Sequence, residues 1–484
     1  MSRSTENVLL PYALGIFGMQ TIISFTAGFQ AEFYNKMYAA LDPNILTGCA
    51  LILFVSKLVS SLLDPVIGVW IDRTGRDGVH LFQRVRRSIF PLAFLTVLLF
   101  IYIPFDRFGG RWLMYAYITL TSVLWSVAMS FAEIPAQSMI SYLSKNDAGC
   151  KRLAAVTNVA KSIAQGTPAV LVTVIMLTVD RVRGIGNTTD AIYYLINVSV
   201  ITVLGALFMA LLAGTKPAGV QQTIVDPQQA SVSIVQMLTD LRENRNVLIV
   251  FLINVLGFAR NMSNVILLQA NGTLIGKVEF FGRSFDTTTD ATWLPYVFGN
   301  LSAAAALILV PMINRRLKEK RTYILFSALD FIFSMCAFAF YMNLSADSPM
   351  RYGSHAMYMI MVFSFIGSFL MGVNQFIPLA MTAEIARNES EQNGRSYTSA
   401  PYAVLTMSVK LGTALSTVVG LFIVSISGYN QLVYEAGQIT PHMQNIVMFA
   451  FMTIPGISTL ISAVPAFFYK SRKTLIAESI TEIN

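Results

Sequence analysis

From residue 8 to residue 469 the chain repeats one pattern: an apolar run of about twenty residues or more, a polar break, then another run. A run of that length crosses a hydrocarbon layer of ~30 Å as a helix, because a backbone in hydrocarbon must satisfy its own hydrogen bonds. Twelve such spans are read, over 8–32, 44–71, 88–105, 112–143, 153–179, 190–213, 246–276, 287–312, 322–344, 353–385, 398–428 and 442–469. Soluble folds do not accommodate this. Hydrophobic residues make up 55% of the chain and charged residues 12%, about half the charge of a soluble domain. The first run exceeds the apolar region of a cleavable leader and is read as an uncleaved helix.

The breaks set an orientation. With both termini on the cytoplasmic side, inner segments hold 22 of the 34 Lys and Arg residues, outer segments eight and the spans four. That asymmetry follows the positive-inside rule. The net charge of +8 therefore reports topology, and no nucleic-acid partner is expected. The longest polar stretch, 216–245, divides six spans from six. It suggests an N-terminal bundle over 1–215, a cytoplasmic loop, a C-terminal bundle over 246–470 and a tail over 471–484. Ala-Glu-Ile recurs at 132–134 and 383–385, with Lys161 and Lys410 following at similar distances. Six plus six with such echoes is the pattern of a repeat-built transporter whose site lies near the midplane.

Ionisable groups inside a membrane cost at least ~2.5 kcal/mol each, so they face a cavity or one another. Helical spacing groups the polar residues on single faces: Lys57, Ser60, Asp64 and Gly68 in span two; Ser126, Ser130, Glu133 and Gln137 in span four; Asn158, Lys161 and Gln165 in span five. Span eleven adds Tyr402, Thr406, Lys410, Thr413 and Thr417, span seven Asn254, Asn261, Asn264 and Asn271, and span one Gln20 and Ser24. The hydroxyls and amides alone are compatible with interhelical hydrogen bonding. The charges Asp64, Glu133, Lys161 and Lys410 point to a wet cavity, and the sequence does not choose their pairs. Counting Lys57, Lys161, Arg260 and Lys410 against Asp64, Glu133 and Glu384 gives a deep balance of +1. A spare cation admits an anionic substrate, and it equally admits a snorkelling side chain.

No phosphate-cradling glycine loop is present, and no Ser/His/Asp or metal-ligand cluster. The three cysteines are scattered without metal spacing. No enzyme activity and no cofactor are expected, and uphill movement would draw on an ion gradient.

Three blocks, "DPVIGVWIDRT", "AEIPAQSMISYLSKNDAGCKRLAAV" and "MTAEIARNES…SVKLGTALSTVVGLFIVSISGY", resemble the glycoside–pentoside–hexuronide:cation symporters, the melibiose-permease-like carriers of the major facilitator superfamily. The resemblance runs nearly the whole length. It implies an all-α membrane protein of twelve transmembrane helices in two six-helix bundles, which rock around a central sugar site coupled to H⁺, Na⁺ or Li⁺. By the same resemblance Asp64 matches the cation-binding acid and Ser130 the hydroxyl one turn before the helix-four acid. Ser60 stands where sodium-using members carry a second acid, and Leu63 where they carry an asparagine. Glu133 matches a sugar-binding acid and Lys410 the helix-eleven lysine, while Gln20, Gln137 and Asn158 replace an acid, an aromatic residue and an arginine. The expected cation or proton set is thus Asp64, Ser60 and Ser130. The expected substrate-binding or coupling set is Glu133, Lys410, Gln20, Gln137, Asn158, Lys161 and Gln375. Asp72, Arg73, Arg315, Arg316 and Glu384 are the expected cytoplasmic gate.

A sodium ion wants several oxygens, and this site has lost a carboxylate and an amide. Asp64 then reads as a lone acid, which suits a proton. The expectation is a monomeric importer of a neutral sugar or glycoside by cation symport in a bacterial-type cytoplasmic membrane, with H⁺ ahead of Na⁺. The rivals are an anionic-sugar (glucuronide) symporter, a lysolipid or amphipath carrier of the same fold, and a membrane sensor that has lost transport.

Overall fold

The computed structural model describes residues 3–38, 41–42, 45–74, 79–143, 147–183, 190–214, 239, 243–280, 283–288, 297–392, 399–429, 433–434 and 436–470. The protein is nearly all helix. The first six spans form α1 (Arg3–Tyr38), α2 (Ile45–Thr74), α3 (Val79–Leu99), α4 (Gly110–Leu143), α5 (Asp147–Arg183) and α6 (Asp190–Gly214). The last six form α7 (Arg245–Leu256) with its broken continuation to Ile275, then α8 (Val297–Leu317), α9 (Glu319–Met342), α10 (Ser354–Gln392), α11 (Ser399–Ser427) and α12 (Pro441–Ala466). Among the described residues, eight of these helices are long and apolar enough to cross a membrane on composition alone. The other four are the basic α3, the Lys- and Arg-bearing α5, the broken α7 and the shorter α8.

Two bundles of six result. Helix α1 packs on α5 and α6, α2 on α4, and α3 on α4 and α6; α8 packs on α10, α9 on α10 and α12, and α7 on α11 and α12. The bundles meet along α2 with α11 and α5 with α8 and α10, joined by α4 with α11. The start of α7 lies beside the end of α12, where Asn246 Nδ2 donates to the Lys470 carbonyl at 2.9 Å. This is the terminal side, on which α1 begins and α12 ends. There the buried apolar core runs unbroken from the first bundle into the second, through Ile140, Leu153, Phe376, Ala383 and Tyr402. On the far side the second bundle keeps a core of its own, around Met262, Ile266, Tyr341, Met357 and Met448.

Sequence chemistry explains which face each helix buries. On α2, Leu51, Val55, Val59, Leu62, Val66 and Trp70 recur at three- and four-residue steps and are exposed. That is a lipid-facing stripe. Ser60, Ser61 and Asp64 lie opposite it and are fully buried. Pro65 falls inside the helix, a position tolerated in membranes because neighbours re-satisfy the freed backbone. Helices α1 and α6 approach closely at Gly18 and Gly205, where a Cβ on Gly18 would stand 2.5 Å from the Gly205 carbonyl oxygen. Small residues at such crossings let backbones touch.

Three boundaries depart from the sequence reading. Helix α3 begins at Val79 instead of residue 88, because "VHLFQRVRR" is itself amphipathic and helix-forming, and it ends at Leu99, ahead of Pro104. The break between the seventh and eighth spans carries an antiparallel hairpin, β1 (Lys277–Phe280) and β2 (Arg283–Asp286), where the sequence reading had only a connection. The seventh span is not one helix. It stops at Gly257 and continues as a 3-10 turn (Phe258–Asn261), two short helices (Met262–Val265 and Leu267–Ala270) and a π-helical turn (Asn271–Ile275). Most of the 216–245 loop and the 471–484 tail lie outside the described residues.

The glycine crossing yields a stability test. Replacing Gly18 with Ala drives a methyl into a backbone oxygen and is expected to cost ~1–3 kcal/mol, read as a lower melting temperature of the detergent-solubilised protein. Gly28→Ala is the control: its Cβ would meet nothing within 4 Å, and its melting should match wild type.

Candidate functional site

The polar stripes converge at the bundle interface, and the first question is what their hydroxyls do. Ser60 donates to the Lys57 carbonyl, Ser130 to Ser126, Thr406 to Tyr402, Thr413 to Lys410 and Thr417 to Thr413, all at 2.8–3.1 Å. Each hydroxyl proton is held by its own helix. The oxygen that remains is an acceptor only, and acceptors without donors attract cations.

Two ammonium groups use those acceptors across the interface. Lys410 Nζ on α11 meets Asp64 Oδ1 on α2 at 2.8 Å and also donates to Ser130 Oγ on α4. The lysine side chain is 6% exposed and the aspartate 0%, so the pair lies out of water. Lys57 Nζ on α2 donates to Thr417 Oγ1 on α11 at 3.1 Å. Asp64 follows Lys57 by seven residues and Thr417 follows Lys410 by seven. The two contacts therefore sit in one antiparallel register, about 10 Å apart along the helices. The expectation of a lone acid is corrected here. Leu63 is exposed on the lipid stripe, and the partner of Asp64 is the Lys410 ammonium. Among the described residues Asp64 Oδ2 makes no hydrogen bond.

A second pair adjoins the first. Glu133 Oε1 on α4 accepts from Lys161 Nζ on α5 at 2.9 Å and from Gln137 Nε2 at 2.7 Å. Glu133 also interacts electrostatically with Asp64 and Lys410, so the two pairs form one charged centre with contributions from α2, α4, α5 and α11. Among the described residues the buried Gln137 Oε1 and Asn158 Nδ2 make no hydrogen bond, an acceptor and a donor that a ligand or water could use. Gln20 lies half-buried on α1 with Nε2 donating to Ser24 Oγ at 3.3 Å. Gln375 lies half-buried on α10.

The expected gate is only partly in view. The side chains of Asp72, Arg73 and Arg315 lie outside the described residues, and Arg316 is exposed at the terminal end of α8. Glu384 accepts from the Tyr469 hydroxyl at 3.2 Å, a contact inside the second bundle. On span seven, Asn271 Nδ2 binds the Thr287 carbonyl, anchoring the end of the hairpin, and Asn264 is exposed; the break in the helix takes them off one shared face.

The sequence reading missed two acids. Asp330 is buried in the middle of α9 and interacts with Arg260, and Glu32 is buried near the far end of α1. The signal for Asp330 was the one that flagged Asp64, a single acid inside an apolar run. With both counted, the deep charges leave no positive excess, which corrects the balance of +1. Among the described residues, no group of three or more His, Cys, Asp or Glu side chains is placed to hold a metal ion.

Comparison with known proteins agrees with this architecture. A family model described as MFS/sugar transport protein matches residues 11–473. No curated protein sequence matches. Among solved structures, the MFS proton:xylose symporter XylE bound to 6-bromo-6-deoxy-D-glucose aligns at TM-score 0.62 and 13% identity, covering 99% of each chain. A bacterial homologue of the iron transporter ferroportin in the outward-facing state aligns at 0.57 and 13%, covering 96% of this chain and 99% of that one. The nucleoside transporter NupG aligns at 0.55 and 12%, covering 96% and 100%. At such identities these likenesses speak to the fold, while the family model speaks to descent. With twelve spans in two bundles and a charged centre between them, this chain belongs to the MFS/sugar transport protein family: it is a multi-pass membrane transporter of the major facilitator superfamily and not an enzyme.

Proposed function

We propose that this transporter imports a neutral sugar or glycoside by proton symport, as a member of the glycoside–pentoside–hexuronide:cation branch, with its termini in the cytoplasm. The observation that carries the reading is the Asp64–Lys410 contact, an ion pair whose two halves belong to different bundles. Alternating access requires the bundles to rock against each other around a fixed site. An interfacial pair that one proton can neutralise is a switch for that motion. With Asp64 ionised, Lys410 is held to α2. With Asp64 protonated, the Coulomb attraction is lost and α11 is released from α2.

The chemistry favours a proton over a sodium ion. Na⁺ needs an oxygen cage, and the oxygens around Asp64 already face the Lys410 ammonium. A metal ion would have to displace that ammonium, whereas a proton needs one carboxylate oxygen, and Oδ2 makes no hydrogen bond among the described residues. Glu133, Gln137, Asn158 and Lys161 supply acceptors and donors for sugar hydroxyls beside this switch, so substrate occupancy and the charge of Asp64 act on one centre. With the buried acids Asp330 and Glu32 counted, no spare deep cation remains to favour an anionic sugar, which supports a neutral one.

Proteoliposomes screened with a glycoside panel test this reading. Wild type should accumulate substrate under an inward proton gradient and lose that accumulation with a protonophore. Uptake stimulated by Na⁺ at fixed pH and indifferent to the protonophore would overturn it. Asp64→Asn should abolish accumulation yet retain counterflow exchange, and full accumulation by this variant would sink the role given to Asp64. The ion pair also has a stability signature. Lys410→Met leaves a buried carboxylate without its counter-charge and should cost ~3–5 kcal/mol. Adding Asp64→Asn to it should recover most of that loss, as measured by thermal unfolding in detergent.

A further inference from the structure

Trp70 closes the lipid-facing stripe of α2, and an arginine from the next helix covers it. The apolar part of α2 runs Thr47–Ile71, so Trp70 stands at its terminal edge, and its side chain is exposed. The guanidinium carbon of Arg84, on α3, lies 4.0 Å from the Trp70 ring centre. On its other side Trp70 meets Phe131 of α4 edge-on, with ring centres 5.8 Å apart. An indole at the edge of an apolar span belongs to the headgroup layer, and a cation over its face is held by cation–π attraction. Arg84 is thereby fixed at headgroup level, bridging α2 and α3.

The surface below this bridge is apolar and open. Helices α2 and α3 both pack on α4. Phe131 turns one face of α4 to Trp70, and Trp125 donates from another face to Thr96 of α3 at 2.9 Å. By helical spacing the exposed Leu124 lies between those faces. On α3, Arg87, Phe90 and Phe94 follow one another at three- and four-residue steps, and all three are exposed. The Phe90 and Phe94 rings stack at 6.2 Å. The surface thus runs from guanidinium groups at the terminal end to phenyl rings deeper in. Residues 72–88 carry five arginines against two aspartates, a positive excess whichever of them pair, and α3 itself carries no acid. None of these side chains belongs to the charged centre between the bundles.

We propose that the surface shared by α2, α3 and α4 is a binding site for an anionic phospholipid. Its phosphodiester lies between Arg84 and Arg87, and an acyl chain runs along Leu124, Phe90 and Phe94 under the edge of Trp70. Lipid of some kind must cover an exposed apolar face within a bilayer. The charge decides which lipid: basic side chains at the membrane surface attract anionic headgroups, and a zwitterionic headgroup brings no net charge to answer them.

The test reconstitutes the full-length protein in phosphatidylcholine vesicles with a minor guest lipid brominated on its acyl chains near the glycerol. The guest is phosphatidylglycerol or phosphatidylcholine, and its bromines quench neighbouring indoles. The chain has four tryptophans, so the share due to Trp70 is the signal that Trp70→Phe removes. Trp70 should reach half-quenching at a phosphatidylglycerol fraction roughly 25-fold below that needed for phosphatidylcholine, as two surface arginines imply. Arg87→Gln should cut that preference about fivefold, and Arg84→Gln with Arg87→Gln should remove it. Equal quenching by the two guests in wild type, or a preference that survives the double substitution, would overturn the site. If the double variant does not insert, Arg87→Gln carries the test alone, and an unchanged preference sinks the proposal. Inorganic phosphate at constant ionic strength should leave the preference intact. Its loss would overturn the lipid as ligand and give the arginines to a soluble phosphate. The measurement needs no substrate and is independent of the transport reading.

Discussion

A carboxylate on α2 and an ammonium on α11 meet where neither reaches water, and the placement of the bundles follows from that meeting. Each group alone in a hydrocarbon-bounded interior is costly, and together they are tolerable only at hydrogen-bond distance with their remaining sites served. Ser130 provides part of that service from α4. Lys57 and Thr417, seven residues along each helix, repeat the contact in the same antiparallel register. Two contacts on one face fix both the rotation and the translation of α2 against α11. Once α2 is so rotated, its apolar stripe from Leu51 to Trp70 points to lipid.

How much of this the sequence disclosed depends on which physical property was being read. Hydropathy responds to the cost of moving side chains out of water, and it located all twelve spans. It says nothing about backbone hydrogen bonding inside a span, so the break at Gly257 was invisible in a run that stays apolar from Val247 to Leu268 apart from Asn254, Arg260 and their neighbours. The hairpin at Lys277–Asp286 is a short-range pairing, legible only to a search for alternation, not for helices. At α3 the arginines argued for a loop by charge. The helix forms because charge excludes a residue from the bilayer core and not from a helix that extends beyond it.

The site shows the same division. Helical spacing identified the faces on which Asp64, Glu133, Lys161 and Lys410 lie, because a face is a property of one helix. Partners are a property of two, and the sequence left the pairs open. Structure assigns Lys410 to Asp64 and Lys161 to Glu133. Ser60 and Leu63 stand where the resemblance to cation symporters led one to expect an acid and an amide, and Asp64 therefore looked solitary, although the missing company was anionic or neutral. The ammonium that remained is the better partner for an acid out of water. Asp330 was overlooked although it carries the same signature as Asp64, and its omission produced a positive excess that the deep charges do not have.

The self-satisfied hydroxyls bear on how such a centre works. Ser60 and Ser130 each donate to a carbonyl of their own helix, and the Ser130 oxygen accepts from the Lys410 ammonium that pairs with Asp64. The charge on Asp64 is met chiefly by the Lys410 ammonium. If α11 moves away, the acid loses its main support. On the proposed proton coupling, a carboxylate in that position would take up a proton as the bundles separate. Motion and charge are in this way two descriptions of one equilibrium, and any ligand that binds Glu133 or Lys161 shifts it through the field that the two ion pairs share.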